Sequence, residues 1–137
     1  MLDLNSLESI IFTQIKARFS SKIKKKYKDL KFTTEEESKE TKPLKFPNVY
    51  ISLESGTETG LTLERTAIEG GLFTFLIKVT DNQNQTRVKE IMNEIVRVMK
   101  TMSFDMPTGS MPIYQNTKDT YWSTARFRRN LDRNDYL

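Results

Sequence analysis

Cysteine and histidine are both missing from the 137 residues. Without cysteine there is no disulfide framework, no thiolate metal site and no thiol nucleophile. Without histidine the commonest general base is gone, and with it most zinc sites and the Ser-His and Cys-His nucleophile pairs. A histidine-free enzyme would have to work with carboxylates, lysine or tyrosine, and nothing in the sequence sets two carboxylates opposite a substrate. The expectation is therefore no enzyme, no metal and no cofactor. No apolar run approaches the roughly 18 residues a membrane helix needs. The opening residues, Met1-Leu2-Asp3-Leu4-Asn5, lack the basic-then-apolar layout of a signal peptide. A soluble product made in the cytosol is expected.

The length suits one domain, residues 1–137, with enough chain for one core. Charged residues make up 29% and the large apolar class 36%, which points to a small core under much polar surface. The net charge of +4 is unevenly spread. Residues 1–31 hold eight Lys/Arg against three Asp/Glu, and residues 32–70 hold four against eight. A basic end and an acidic middle suit self-association, or an acidic partner at the basic end.

The best-patterned stretch is Gly71 to Met102. Phe73, Phe75, Ile77 and Val79 alternate with Thr74, Leu76 and Lys78, the two-residue period of a central strand with one dry face. After the polar break at 80–85, the residues Val88, Ile91, Met92, Ile95, Val98, Met99 and Met102 form a helical stripe. Arg87, Glu90, Asn93, Glu94, Arg97 and Lys100 lie away from it. So short a link folds the helix back over the strand.

Before this pair, Leu7, Ile10, Ile11, Ile15, Phe19 and Ile23 recur at threes and fours, which predicts one helix from about Ser6 to about Tyr27. Asn5 caps it with Glu8 in capping-box spacing. A strand is expected near 29–35, a polar loop at 35–43, and a second strand opened by Pro47, with Val49, Ile51 and Leu53 on one side. Residues 55–71 read as a long arm, either a loose hairpin or an ordered excursion. Phe104 to Pro112 reads as loop. Ile113-Tyr114-Gln115 then pairs in a hairpin with a strand running from Thr120 to Arg128. Residues 130–137 read as a frayed tail. The fold class is α+β: a mostly antiparallel sheet of four to five strands with two helices packed on one face. Its uncovered face carries Tyr50, Thr74, Lys78, Trp122, Thr124, Arg126 and Arg128.

Two groups of residues stand out as contact sites. Lys24-Lys25-Lys26 could grip phosphate, but basic helix ends are commonly just solvated. Arg126, Arg128 and Arg129 beside Tyr121 and Trp122 could stack on nucleic acid, yet arginine, tyrosine and tryptophan also dominate protein–protein hot spots. Protein contact is the preferred reading, because the net charge is modest and no nucleic-acid motif is present. The methionines of the second helix are core filling. Glu35-Glu36-Glu37 does not have the order of a calcium loop, and Gly56 and Gly60 do not form a phosphate loop.

Taken together, these segments resemble a known family. A basic N-terminal helix is followed by Phe46-Pro47-Asn48-Val49-Tyr50-Ile51 and an acidic arm. Phe73 to Asn82 leads into the helix Val88-Lys89-Glu90-Ile91-Met92-Asn93-Glu94-Ile95. The strand Tyr121-Trp122-Ser123-Thr124-Ala125-Arg126-Phe127-Arg128-Arg129 closes the sheet. The pattern, over most of residues 5–129, resembles the tail-terminator and tail-completion (neck) proteins of long-tailed bacteriophages and phage-tail-like particles. The resemblance implies a structural virion subunit, made in the host cytoplasm, that forms a homohexameric ring on the head-proximal end of the tail tube. The ring stops tube growth and offers a docking surface for the head. Implied partners are copies of itself, the tail tube protein, the neck or head-completion protein and, in a contractile tail, the sheath protein. No membrane is involved, and DNA only passes through as cargo. The resemblance fixes no individual contacts; read from the residues themselves, the candidate subunit or partner contacts are Lys24, Lys25, Lys26, Tyr50, Glu58, Glu64, Arg65, Trp122, Arg126, Arg128 and Arg129. Two alternatives are a head-completion (connector) protein on the portal side and a small nucleic-acid-binding domain.

Overall fold

The computed structural model describes residues 2–34, 46–58, 70–106, 113–115 and 120–137. Its centre is β3 (Gly70–Asp81), flanked on one side by β2 (Asn48–Glu58) and on the other by β5 (Tyr121–Asp132). Two three-residue strands, β1 (Lys31–Thr33) and β4 (Ile113–Gln115), form the edges, giving the order β1-β2-β3-β5-β4. All pairings are antiparallel except β1 with β2, which is parallel. The α+β class, the mostly antiparallel sheet and the helices on one face are as the sequence predicts.

The period-two reading of β3 holds over residues 72–79, while both ends of the strand are buried on either face. Phe73, Phe75, Ile77 and Val79 are buried, and Leu72, Thr74, Leu76 and Lys78 on the other face are half-buried. Register carries the same side across the sheet: Val49–Val79–Ser123, Ile51–Ile77–Ala125 and Leu53–Phe75–Phe127 form rows beneath the helices. β2 and β3 run further into the expected arm than the apolar pattern reaches, pairing out to Glu58 with Gly71. The arm is thus a hairpin at its base, and residues 59–69 lie outside the described residues. The loop expected at 35–43 lies outside them as well.

Helix α3 (Gln85–Thr101) covers this floor with the whole predicted stripe. Asn84 caps it by accepting the Arg87 N–H at 2.9 Å. Asp81, fully buried, turns the corner from β3 by accepting the N–H groups of Gln83 and Asn84 at 3.0 and 3.1 Å. Ser103, with φ of 60°, stops the helix. Phe104 N–H returns to the Met99 carbonyl and Ser103 N–H to the Lys100 carbonyl, the paired bonds of a Schellman motif.

The N-terminal helix differs from expectation in three ways. It is two helices, α1 (Leu7–Arg18) and α2 (Ser21–Lys26), separated by Phe19 and Ser20 in extended conformation. The sequence spacing supplies the reason. At about 100° per residue, a strict four-residue repeat drifts about 40° per step, so Leu7 and Ile23 sit about 160° apart on a straight helix. Leu7, Ile11, Ile15 and Phe19 are buried, and the bend after Phe19 returns Ile23 toward the core, where it is half-buried. Asp3, not Asn5, supplies the first cap, accepting the Asn5 N–H at the 3-10 turn Leu4–Ser6. Glu8 is not a capping-box partner either: its carboxylate accepts the Leu53 N–H on the outer edge of β2 at 3.1 Å.

The chain after Arg128 is tied down rather than frayed. β5 continues to Asp132, Leu131 is buried, and Leu2 N–H bonds the Arg133 carbonyl at 2.7 Å. Arg18 reaches the Leu137 carbonyl at 2.9 Å, and Leu137 packs on the core. The alternation Ser123, Ala125, Phe127 continues to Leu131, and burying that side chain holds the segment in place.

Candidate functional site

The sheet face away from the helices is partly exposed among the described residues, and the period of two decides which side chains occupy it. Even-numbered β5 residues and even-numbered β3 residues share it through the pairs Thr80–Trp122, Lys78–Thr124, Leu76–Arg126 and Thr74–Arg128. Tyr50 joins through its pairing with Lys78. The Lys78 ammonium lies 4.9 Å from the Trp122 ring centroid, a cation–π arrangement. Arg126 grips Glu54 at 2.8 and 3.1 Å, with both side chains well exposed. Glu54 follows Tyr50 and Ser52 in the alternation of β2 and sits at a bulge: the β2–β3 register slips between Leu53 and Ser55, leaving Glu54 without a register partner on β3. The alternation of Tyr50, Ser52 and Glu54 with Val49, Ile51 and Leu53 already puts Glu54 on this side; the slip itself is a register event with no signature in the residue pattern.

Arg129 does not belong with Arg126 and Arg128. It lies on the helix side of β5 and donates to the carbonyls of Met102 at 2.7 Å and Tyr136 at 3.1 Å. Its work is to fasten the end of α3 and the tail to the sheet. Of the arm residues, Glu58 closes β2 opposite Gly71, and Glu64 and Arg65 lie outside the described residues.

The lysine run forms a second, separate surface on the helix side. Lys24 donates to the Lys16 carbonyl, and Lys25 is exposed. Lys26 pairs with Glu90 of α3 at 3.1 Å, and Tyr27 donates its hydroxyl to the same carboxylate at 2.6 Å. These contacts hold the Glu90 carboxyl below its ordinary range, the Tyr27 hydrogen bond first and Lys26 after it, against the opposing effect of desolvation. Burial, then the bond to Glu90, raises the Tyr27 phenol, and Glu90 raises Lys26. Arg87 stacks on the Tyr27 ring at 4.9 Å and faces Asp81 at 3.6 Å, a charge contact longer than a hydrogen bond. Lys26, Tyr27, Gln83, Asn84, Thr86, Arg87 and Glu90 line a shallow cleft of about 400 Å³. Cations and carboxylates in it are paired with each other, so the cleft is a joint between α2 and the start of α3. Tyr27, Arg87 and Glu90 were missed as partners of the lysines because they meet only once α2 turns back.

Glu94, expected on the outer side of α3, is buried to 7% exposure. It accepts the Ser20 N–H at 2.6 Å and both Nε and Nη2 of Arg97, at 2.6 and 2.8 Å. The Arg97 bond first, and the Ser20 bond after it, hold its carboxyl below the ordinary range against the opposing effect of desolvation.

Among the described residues there is no group of three or more acidic side chains placed to share a metal ion, and no helix is long and apolar enough to cross a membrane. The sequence matches no protein-family model, and comparison with curated proteins gives no match.

Proposed function

We propose that this chain is a non-enzymatic structural subunit of a phage or phage-like tail, which caps the head-proximal end of the tail tube as a ring. The observation that carries the reading is the sheet face away from the helices, with its exposed Arg126 and Arg128 and its Lys78–Trp122 pair. Aromatic and arginine side chains on a rigid sheet are the composition of a protein contact surface. The Lys24–Lys26 surface lies on the opposite, helical side of the sheet. A subunit in a heterologous ring, between a tube and a neck, needs such separate surfaces on different sides. The resemblance of the sequence pattern to tail-terminator proteins supplies the specific assignment, including the hexameric ring, the tube and neck partners, and the virion location.

The same separation weakens the nucleic-acid alternative. A nucleic acid touching both the lysine run and Arg126 and Arg128 would have to wrap round an edge of the sheet.

Electron microscopy of particles made with and without this reading frame tests the proposal. Tubes of uncontrolled length lacking heads are expected when it is deleted. Tails of normal length beside filled, unattached heads would move the protein to the portal side of the joint. Unchanged particles would overturn the structural reading. Salt-dependent binding to DNA, with log affinity falling linearly in log salt, would then favour the nucleic-acid reading.

A further inference from the structure

The bend between α1 and α2, which the apolar spacing favours, is also held from outside the segment. There is no glycine or proline between Leu7 and Tyr27, and Phe19 and Ser20 alone interrupt the helix between Leu7 and Lys26. α2 has no fully buried residue. Two carboxylates of α3 hold it: Glu94 takes the Ser20 N–H, and Glu90 takes Lys26 and the Tyr27 hydroxyl. Ile23 and Tyr27 add partial burial. Lys24 reaches back to the Lys16 carbonyl, a contact that a straight helix would set about 12 Å of rise apart. Straightening would forfeit these contacts. In return it would give the N–H groups of Ser21 and Lys22 helical acceptors on Ala17 and Arg18, and would exchange the Ser20 hydroxyl that now caps Ile23 for the Phe19 carbonyl. Phe19 remains one helical step from Ile15 in either arrangement, so the core of α1 survives both.

We infer that α2 is a latch with two states: docked on α3, and continuous with α1 as one helix from Leu7 to about Tyr27. Glu90 and Glu94 select the docked state. Release carries Lys24, Lys25 and Lys26 away from α3 and opens the cleft wall formed by Arg87 and Glu90. The inference is independent of the tail-terminator reading and stands or falls on the chain alone.

Backbone carbon chemical shifts of Phe19 and residue 20 report the state directly. They are extended when α2 is docked and helical when it is continuous with α1. In the wild type the extended shifts are expected, with relaxation dispersion confined to about residues 18–27. In the Glu90→Gln/Glu94→Gln variant the helical state is expected to become the major one, giving an unbroken helical run from Leu7 through Lys26. Should that variant fail to fold, Ser20→Ala carries the test. It removes the hydroxyl that accepts the Ile23 N–H and raises helix propensity at the bend, without touching either carboxylate. The same shift toward helix is expected. Two outcomes would overturn the latch: residues 21–26 moving to random-coil shifts while Phe19 stays non-helical, or shifts unchanged in the folded variants.

Discussion

Glu94 on α3 accepts the backbone N–H of Ser20 at 2.6 Å, across 74 residues of sequence, at the break between α1 and α2. Replacing it with alanine strips a charged acceptor from a half-buried donor and from Arg97. A loss of about 2 kcal/mol in unfolding free energy is expected by chemical denaturation. Its carboxyl is held below the ordinary value of 4.5 in the folded chain. The contribution is therefore fully present above that value and is lost as pH falls through the lower folded pKa. As pH falls below the ordinary carboxyl value of 4.5, the wild type should lose more stability than Glu94→Gln. Parallel stability–pH curves for the two proteins would contradict this.

Glu8 and Leu53 form a similar long-range pair at the sheet edge. β1 pairs with β2 only as far as Tyr50, and the Glu8 carboxylate takes the next outward N–H, that of Leu53. Glu8→Ala should cost about 1 kcal/mol. It also leaves a longer open strand edge, which favours strand pairing between chains. Light scattering during thermal unfolding should rise earlier in the variant than in the wild type, and identical onset would argue against the edge role.

Ser103 pays a conformational penalty at the end of α3, with φ of 60°. Glycine adopts that region freely, so Ser103→Gly should raise stability by about 0.5–1 kcal/mol, read as a higher thermal midpoint. A lower midpoint would show that the serine hydroxyl matters more than its backbone.

Gly70 opens β3 beside β5, and a Cβ there would lie 3.0 Å from the Leu131 carbonyl oxygen, a backbone atom with little freedom to move. Gly70→Ala should therefore destabilise by about 1–2 kcal/mol by the measure of overpacked sites. Unchanged denaturation would mean that the two strands separate there at little cost.

Arg126 and Arg129 are three residues apart on one strand and should behave oppositely. Arg126 pairs with Glu54 in solvent, so Arg126→Ala should change stability by less than about 1 kcal/mol. Arg129 holds two carbonyls, and Arg129→Ala should cost about 1–2 kcal/mol. On the tail reading, Arg126→Ala should still impair assembly while folding normally, as should Lys24→Glu/Lys25→Glu. Lys26 is unsuited to that test, because a carboxylate there would repel Glu90. Full assembly by both folded variants would remove these surfaces from the contact.

The sequence by itself determined the elements whose apolar period agrees with their geometry. β3 and α3 are examples: alternation and the 88–102 stripe each bury one face whatever lies opposite, because period alone selects that face. The pairing of β4 with β5 was likewise local. Tertiary structure decided what depends on partners far along the chain. Glu94 counts as a surface residue until Ser20 presents its N–H, and Glu8 as a helix cap until Leu53 does. Arg129 reads like its neighbours until the alternation is anchored by burial of Phe127 and Leu131. The bend after Phe19 belongs to both levels. The four-residue spacing of Leu7, Ile11, Ile15, Phe19 and Ile23 rules out one straight buried face, and only the folded chain brings a carboxylate of α3 to the Ser20 N–H at the break.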